Sequence, residues 1–408
     1  ANVLYNKVKS LRAELDNFER QMAILEDSQR KKNFNIKIEN LKIEINETLT
    51  KLKLYNPELE SLVSVNAITY DEAKNYIDTD VAFIEYYYSK NKLFYWIITN
   101  DTLIFIDKKL ASDTHIEKAV ADFIRRIQDK AYIEEISNEL YELLFSAAEP
   151  HIQTKKYIGI IPFEKLHYLS FAALKSKDYY IVDKYNLFYL ASLSLSKFVL
   201  TQTKNNLLKE DLKILAIGNP DLGDFHYDLP LAELEAQSIQ FEFNKVDVLL
   251  RKQARKSWVV NNIAKYNVIH IAAHGEFNSI NPLFSALKLV EDTDLKLDGD
   301  FKALDVFEIK LNADLVTLSA CQSGLGKIQA GDEIIGLNRA FFYAGTKSII
   351  SSLWRIDDLT TSLLMKHFYR NYLVHNKIES LRNAQLKVKA DYPHPMYWSG
   401  LFLSGDYK

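Results

Sequence analysis

The stretch Asp314-Leu-Val-Thr-Leu-Ser-Ala-Cys-Gln-Ser-Gly324 decides how the chain is interpreted. Its first half is a short apolar run typical of a buried strand. Its second half holds Cys321, the single cysteine of the chain, among small residues. A second stretch of this kind, Tyr266 to Glu276, ends in His274-Gly275. Because chemistry in an open α/β sheet lies outside the carboxyl ends of the strands, the two stretches predict a Cys–His pair there.

Strands and helices alternate around these two stretches. We predict strands over 213–218, 246–250, 268–272, 315–320 and 348–353. We predict helices over 231–242, 253–264, 333–344, 359–374 and 378–390. This alternation predicts an α/β fold with a mainly parallel sheet flanked by helices.

The preceding region has a different character. Segments 81–88, 93–98 and 102–106 are rich in β-branched and aromatic residues and are separated by polar turns, which predicts an antiparallel meander. Residues 114–146 follow as two predicted helices, and residues 157–161 form an apolar run of strand type.

The first 55 residues carry two apolar stripes at helical spacing. The stripes are Leu4, Val8, Leu11, Leu15, Phe18, Met22 and Leu25, and then Ile38, Leu41, Ile45, Leu49 and Leu52. The mostly polar residues 26–35 separate them, which favours an antiparallel helical hairpin over one long helix. We expect Asn56-Pro57 to close the hairpin and begin a short next helix.

Composition excludes several classes of protein. Of 408 residues, 48% are hydrophobic and the net charge is −3, which suits a globular chain with a large core rather than a nucleic-acid binder. One cysteine excludes an intrachain disulfide and a cysteine-rich metal site, and it fits a reducing, cytoplasmic compartment. No apolar run is long enough for a membrane span. The chain begins at Ala1 rather than Met, so a longer parent protein is an open alternative.

Several ordered blocks resemble a known family, the CHAT domains (caspase HetF associated with TPRs). The blocks are Ile160 to Leu169, Leu229 to Glu235, His270 to Phe277, Pro282 to Leu287, Leu318 to Gly324, Gly331 to Gly345 and Ser351 to Asp358. The resemblance covers roughly residues 66 to 408. In addition, His274 precedes Cys321 by 47 residues, and caspases place their histidine roughly 50 residues before the cysteine.

The resemblance implies a caspase-like and separase-like cysteine endopeptidase that takes protein or peptide substrates and needs no cofactor or metal. It implies an inactive caspase-like half at 66–205 and an active half at 206–408, which follow the helical hairpin that the apolar stripes predict within 1–65. The hairpin either packs on the body of the protein or ends an upstream array of helical repeats. TPR association and a role in bacterial signalling are implied in the same way. The apolar stripes of the hairpin must pack on something, which favours a regulatory protein partner or upstream helical repeats. From the composition we expect neither direct nucleic-acid binding nor membrane binding.

The candidate catalytic residues are Cys321 as nucleophile and His274 as base. A structural role is the alternative for each. His270 is the local rival of His274, because residues four apart on one strand share a face, and we expect both on a single strand. We expect His270 to be a core histidine. By resemblance to caspases, the backbone N–H groups of Gly275 and Cys321 form the oxyanion hole. No third acid is evident, so we expect a backbone carbonyl to orient His274.

Three further residues are candidates for substrate binding. The resemblance to separase suggests that Asp357 and Asp358 form an acidic wall of the pocket for the residue before the cleaved bond. A helix N-cap with an acid in the first turn is the structural alternative. Trp354 either contacts the substrate or fills core. Two other functions stay open: a catalytically silent scaffold, and a non-peptidase acyl-transfer enzyme such as a thioesterase.

Overall fold

The computed structural model describes most of the chain. The described residues are 7–8, 10–11, 14–15, 17–18, 21–22, 28–53, 68–111, 115–200, 209–276, 278, 282–292, 298–319, 321–322, 332–354 and 356–408.

A large mixed sheet forms the body of the protein. Its strands are β1 (Val81–Ser89), β2 (Lys92–Ile98), β3 (Leu103–Lys109), β4 (Tyr157–Ile161), β5 (Asn186–Tyr189), β6 (Ile214–Pro220), β7 (Val246–Arg251), β8 (Val268–Ala272), β12 (Leu315–Leu318), β14 (Ser348–Ser352) and β15 (Leu401–Gly405). They lie in the order β3-β2-β1-β4-β5-β15-β14-β12-β8-β6-β7. Seven of the ten pairings are parallel, which confirms the predicted mainly parallel sheet.

A small second sheet lies beside the large one. Its strands are β9 (His274–Glu276), β10 (Ala286–Lys288), β11 (Asp300–Lys302) and β13 (Cys321–Gln322), in the order β11-β10-β9-β13. None of these four strands was predicted as a separate element.

Helices cover both faces of the large sheet. The α-helices in the described part of the chain are Ser28–Lys53, Tyr70–Ala73, Ile116–Gln128, Glu134–Leu144, Glu149–Ile152, Ile181–Lys184, Ser196–Val199, Pro230–Ser238, Lys256–Asn262, Ala303–Phe307, Asp332–Ala344, Asp358–Tyr372 and Lys377–Asp391, of which Ser28–Lys53 packs apart from the large sheet. The burial of β6 shows why both layers are needed. Ile214 and Ala216 belong to one apolar cluster, whereas Leu215 and Ile217 belong to the cluster on the other face. A parallel sheet is buried on both faces, so its strands read as continuous apolar runs.

The meander predicted upstream is present as β1, β2 and β3, and both of its pairings are antiparallel. The large sheet is continuous from β1 to β7, because β15 pairs with β5 on one side and with β14 on the other. The division of the chain at residue 205 into two caspase-like halves therefore stays a prediction about domains within one sheet.

The two N-terminal stripes pack against each other. Lys7 Nζ lies 2.8 Å from Glu44 Oε1, and the rings of Phe18 and Phe34 are 5.3 Å apart, so the two helical stretches run antiparallel. The second helix begins at Ser28, within the polar stretch that was expected to interrupt the stripes. Leu4, Leu25 and Asn56-Pro57 lie outside the described residues.

The helical pair also packs on the rest of the chain. Its buried residues Val8, Leu15 and Ile45 form one apolar cluster with Phe284 and Leu304. Phe284 ends a short turn, Pro282–Phe284, and a single residue, Ser285, separates this turn from β10. The helices therefore contact the segment that leads into the small sheet.

Candidate active site

The small sheet brings the two candidate catalytic residues together. Strand β13 pairs with β9 in parallel, and the register places Cys321 opposite His274 and Gln322 opposite Gly275. Neighbouring strands lie about 4.8 Å apart, so the two backbones are in direct contact. Residues 47 positions apart in the sequence thus become immediate neighbours.

The imidazole of His274 is held by a backbone carbonyl. Its Nε2 lies 2.9 Å from the carbonyl oxygen of Tyr227, and the Tyr227 ring stands edge-on to it at 5.6 Å and 82°. A carbonyl only accepts hydrogen bonds, so Nε2 carries the proton and Nδ1 of the neutral ring keeps its lone pair. Nδ1 is buried and has no hydrogen-bond partner among the described residues. The expected orienting carbonyl is therefore present, at a position that sequence reasoning did not identify.

The turn that carries Tyr227 is anchored to strand β6. Asn219 is 2% exposed and has φ of +49°, at a register shift in its pairing with β7. Its side-chain oxygen accepts a hydrogen bond from Leu229 N at 2.8 Å, and its amide donates to Glu233 at 3.2 Å. Arg251 adds an ion pair to Asp228. These contacts fix the residues that follow Tyr227.

His270 lies in the core, as expected for the rival histidine. It is fully buried, and its Nδ1 lies within hydrogen-bond distance of Tyr369 Oη, at 3.1 Å. Its Nε2 lies 3.1 Å from Glu235 Oε1, but the angles of this contact are not those of a hydrogen bond. Tyr369 in turn donates to Thr317 Oγ1 at 3.2 Å, and burial raises the pKa of Tyr369. His270 therefore connects the sheet to two helices.

One premise about the two histidines was wrong. We expected them on a single strand with their side chains on one face. The structure ends β8 at Ala272 and begins β9 at His274, in the other sheet. Because Ala273 separates the two strands, the two-residue alternation that would put both histidines on one face does not continue across it.

The candidate oxyanion donors are close together in the backbone. Gly275 is buried and lies between Leu287 of β10 and Gln322 of β13, one register position from the pair formed by His274 and Cys321. The roles of the Gly275 and Cys321 N–H groups stay predictions.

Of the three candidate substrate-binding residues, two lie at the start of a helix and the third is buried. Asp357 caps the Asp358–Tyr372 helix, because its carboxylate accepts a hydrogen bond from Thr360 N at 3.1 Å. Asp358 is exposed in the first turn of that helix. Trp354 is 2% exposed and lies so close to Gly400 that a Cβ there would come within 2.9 Å of its Nε1. Their substrate-binding roles stay predictions, and they require Trp354 to become accessible.

A cleft of about 770 Å³ lies beside His274, and none of those three residues lines it. Its walls include Tyr227 and Glu276, together with Lys288 and Asp300. Burial disfavours the Lys288 ammonium, but the carboxylates of Asp300 and Glu276 outweigh this and raise the pKa of Lys288. Sequence reasoning missed this cleft, because its walls come from segments with no common motif.

The described residues contain neither a metal-binding cluster nor a membrane-spanning helix. No group of three or more His, Cys, Asp or Glu in the described part of the chain could hold a metal ion. Among the helices that the structure describes, none has the length and apolar character to cross a membrane.

Comparison with protein-family models matches the CHAT domain over residues 134–406. The chain belongs to the CHAT domain family. This CHAT chain matches no curated protein.

Solved structures similar to this CHAT chain include the complex of the pro- and mature domains of RgpB from Porphyromonas gingivalis. That match has 12% identity and a TM-score of 0.43, and it covers 71% of this chain and 76% of the other. Two separase–securin complexes of Saccharomyces cerevisiae match at 9% and 11% identity, each with a TM-score of 0.42. This chain spans 27% of the separase chains, while 98% of it is covered.

Proposed function

We propose that this CHAT chain is a cysteine endopeptidase that cleaves proteins or peptides through a dyad of Cys321 and His274. The observation that carries the proposal is the register of β13 with β9, which places the two residues directly opposite each other. The hydrogen bonding of His274 supports the proposal. Its Nε2 is bound to the carbonyl oxygen of Tyr227, and its Nδ1, the atom that would accept the thiol proton, has no partner among the described residues.

In the proposed mechanism, Nδ1 of His274 removes the proton of the Cys321 thiol, and the thiolate attacks the carbonyl carbon of the scissile peptide. The N–H groups of Gly275 and Cys321 stabilise the oxyanion of the tetrahedral intermediate. His274 then gives its proton to the leaving amine, which leaves an acyl-enzyme. Water, deprotonated by Nδ1, hydrolyses the thioester and restores the thiol.

The carbonyl of Tyr227 would have the orienting role of the carboxylate in a Ser-His-Asp triad, although it binds Nε2 of the imidazole rather than Nδ1. It keeps the proton on Nε2 and stabilises the imidazolium by its dipole, without adding a charge to the site. A lone thiol also suits a reducing cytoplasm, which is the compartment we propose.

We further propose that a protein partner or an upstream helical region gates this activity through the N-terminal helices. The supporting contact is the apolar cluster of Ile45 with Phe284 and Leu304, because Phe284 is two residues from β10 and β10 pairs with β9. Binding at the helices changes activity only if the partner prefers the active form over the inactive one.

Cleavage of a peptide library tests the dyad. Cys321→Ala and His274→Ala should each reduce cleavage by about 1,000-fold or more, and the double variant should be no worse than either, because the pair acts as a unit. His151→Ala, an exposed histidine outside the site, is the matched control. Full activity of Cys321→Ala would disprove the nucleophile. Hydrolysis of thioesters but not of peptides would instead favour the acyl-transfer alternative.

A further inference from the structure

One face of the meander is an exposed aromatic surface. The register pairs Tyr87 with Phe94 and Trp96 with Phe105, so these side chains share a face of β1, β2 and β3. Tyr87, Leu103 and Phe105 are 45%, 47% and 53% exposed. We call Tyr87, Phe94, Trp96, Leu103 and Phe105 the aromatic face.

The aromatic side chains form one connected surface rather than isolated exposed residues. Phe105 stacks on Phe94 at 5.9 Å and 12°, and it contacts the ring of Trp96 at 5.3 Å. Tyr87 lies 6.1 Å from Phe94. Single exposed apolar residues are ordinary, whereas a contiguous apolar patch marks an interaction site.

On this side of the sheet a helix packs on β4, whereas Tyr87 of β1 and the residues of β3 are about half exposed. Tyr157 of β4 is in register with Val81, and its hydroxyl donates at 2.8 Å to Glu379 of the Lys377–Asp391 helix. On the opposite face, Tyr86 donates to the carbonyl of Leu144 in the Glu134–Leu144 helix. The strands are thus covered on that opposite face, while the aromatic face stays about half exposed at β3 and at Tyr87.

Two carboxylates lie on this face: Asp107, which is in register with Phe94, and Glu85. Glu85 is directly opposite Trp96 in the register and two residues from Tyr87, so it shares their face. It makes no hydrogen bond or ion pair with any residue that the structure describes. Burial raises the pKa of Glu85, because the neighbouring apolar groups replace water around the carboxylate. By contrast, Lys92 at the rim of the face is already paired with Asp107 at 2.7 Å.

These features define the chemistry of a partner. A partly buried carboxylate with no partner among the described residues is stabilised by a cation that brings its own hydrogen-bond donors. Aromatic faces attract the same cations and bury apolar neighbours. We propose that the aromatic face with Glu85 binds a protein segment that carries an arginine or lysine flanked by apolar side chains. The surface lies at the β3 edge of the large sheet, whereas β8, which leads to His274, lies near the β7 edge.

Peptide display on the whole chain tests the proposal. The Cys321→Ala protein, which cannot cleave the displayed peptides by the proposed mechanism, is used to select from a random library of short peptides. Selected peptides should share an arginine or lysine between apolar residues. Their affinity should fall by about tenfold or more with Glu85→Gln and with Phe105→Ser, as expected for a central contact of an interface.

Phe241→Ser is the matched control, because Phe241 is 81% exposed and outside the aromatic face. It should leave the affinity unchanged, and the melting temperature of each variant shows that the fold is intact. Leu103→Ser replaces Phe105→Ser if the latter destabilises the chain. Selected peptides without a cation, equal binding to Glu85→Gln, or no enrichment at all would each overturn the proposal. Dimerisation that Phe105→Ser abolishes would overturn it too, by assigning the face to a second copy of the chain.

Discussion

Replacing Asn219 with alanine tests how the Tyr227 carbonyl is held against His274. Asn219 is buried, adopts φ of +49°, and makes side-chain hydrogen bonds to Leu229 N and to Glu233. Alanine removes both hydrogen bonds, each of which contributes about 1 kcal/mol to stability. It also adopts the left-handed conformation less readily, which costs about 1 kcal/mol more. We therefore expect the free energy of unfolding to fall by about 3 kcal/mol.

The effect on activity follows from the same contacts. Leu229 is two residues from Tyr227, so loss of its anchor lets the carbonyl move away from His274 Nε2. A misplaced catalytic group reduces the chemical step, and a displacement of about 1 Å can cost roughly 100-fold. Because the turn is also tied down by the ion pair of Arg251 with Asp228, we expect about a tenfold fall in kcat, with KM little changed.

Asn219→Gly separates the two contributions to stability. Glycine removes the same hydrogen bonds but accepts the positive φ, so the loss should be about 2 kcal/mol rather than about 3 kcal/mol. Urea unfolding measures the free energies, and steady-state peptide cleavage measures kcat and KM. If glycine destabilised the chain as much as alanine, the backbone part of the reasoning would be refuted. Unchanged kcat in both variants would show that the Tyr227 carbonyl does not position the base.

Three further predictions concern other parts of the molecule. His270→Asn should lower the free energy of unfolding by about 2 kcal/mol, because it disturbs a buried hydrogen-bond network. The turnover of the folded fraction should stay near normal, because the substitution lies outside the site. Lost turnover at an unchanged melting temperature would instead make His270 the base. Burial alone would raise the pKa of Glu149, but hydrogen bonds from Lys184 and three tyrosines lower it to about 2. The stabilising effect of the Glu149 carboxylate is therefore complete above the ordinary pKa of 4.5 and is lost as the pH falls towards 2. We expect Glu149→Gln to lower the free energy of unfolding by about 2 kcal/mol at pH 7, after allowance for solvent screening, and by less at pH 3.5. Urea unfolding at the two pH values measures this, and an equal loss at both would contradict it. Active protein should remain uncut between residues 322 and 332, because the proposed gating through the N-terminal helices requires no cleavage there. Intact-mass spectrometry of the active protein measures this, and a cut in that segment would contradict it.

Long, regular elements were predictable from the sequence because their patterns are local. The strand over 268–272 and the helices near 333–344, 359–374 and 378–390 carry continuous apolar or helical periodicity, and each was predicted to within two residues. The same patterns placed His274 and Cys321 beside strand ends.

The rest of the site depends on contacts that leave no local pattern. Strands β9, β10, β11 and β13 are two or three residues long, too short for any periodicity. The predicted strand 315–320 ends at Leu318, and Cys321 joins the small sheet instead. The partner of His274 is a backbone carbonyl, and every residue has one, so no side chain identifies Tyr227.

The position of β15 has a consequence for how the chain is made. Strand β5 ends at Tyr189, and the strand that pairs with it begins at Leu401, 212 residues later in synthesis (401 − 189). At about 5–20 residues per second, the edge of β5 stays unpaired for roughly 10–40 s of synthesis, and the edge of β14, which ends at Ser352, for roughly 2–10 s. An open edge of this kind recruits other strands and promotes aggregation. Chaperones that shield nascent sheets should therefore matter for this chain during translation, and ribosome-bound fragments that stop before Leu401 should be their main substrates.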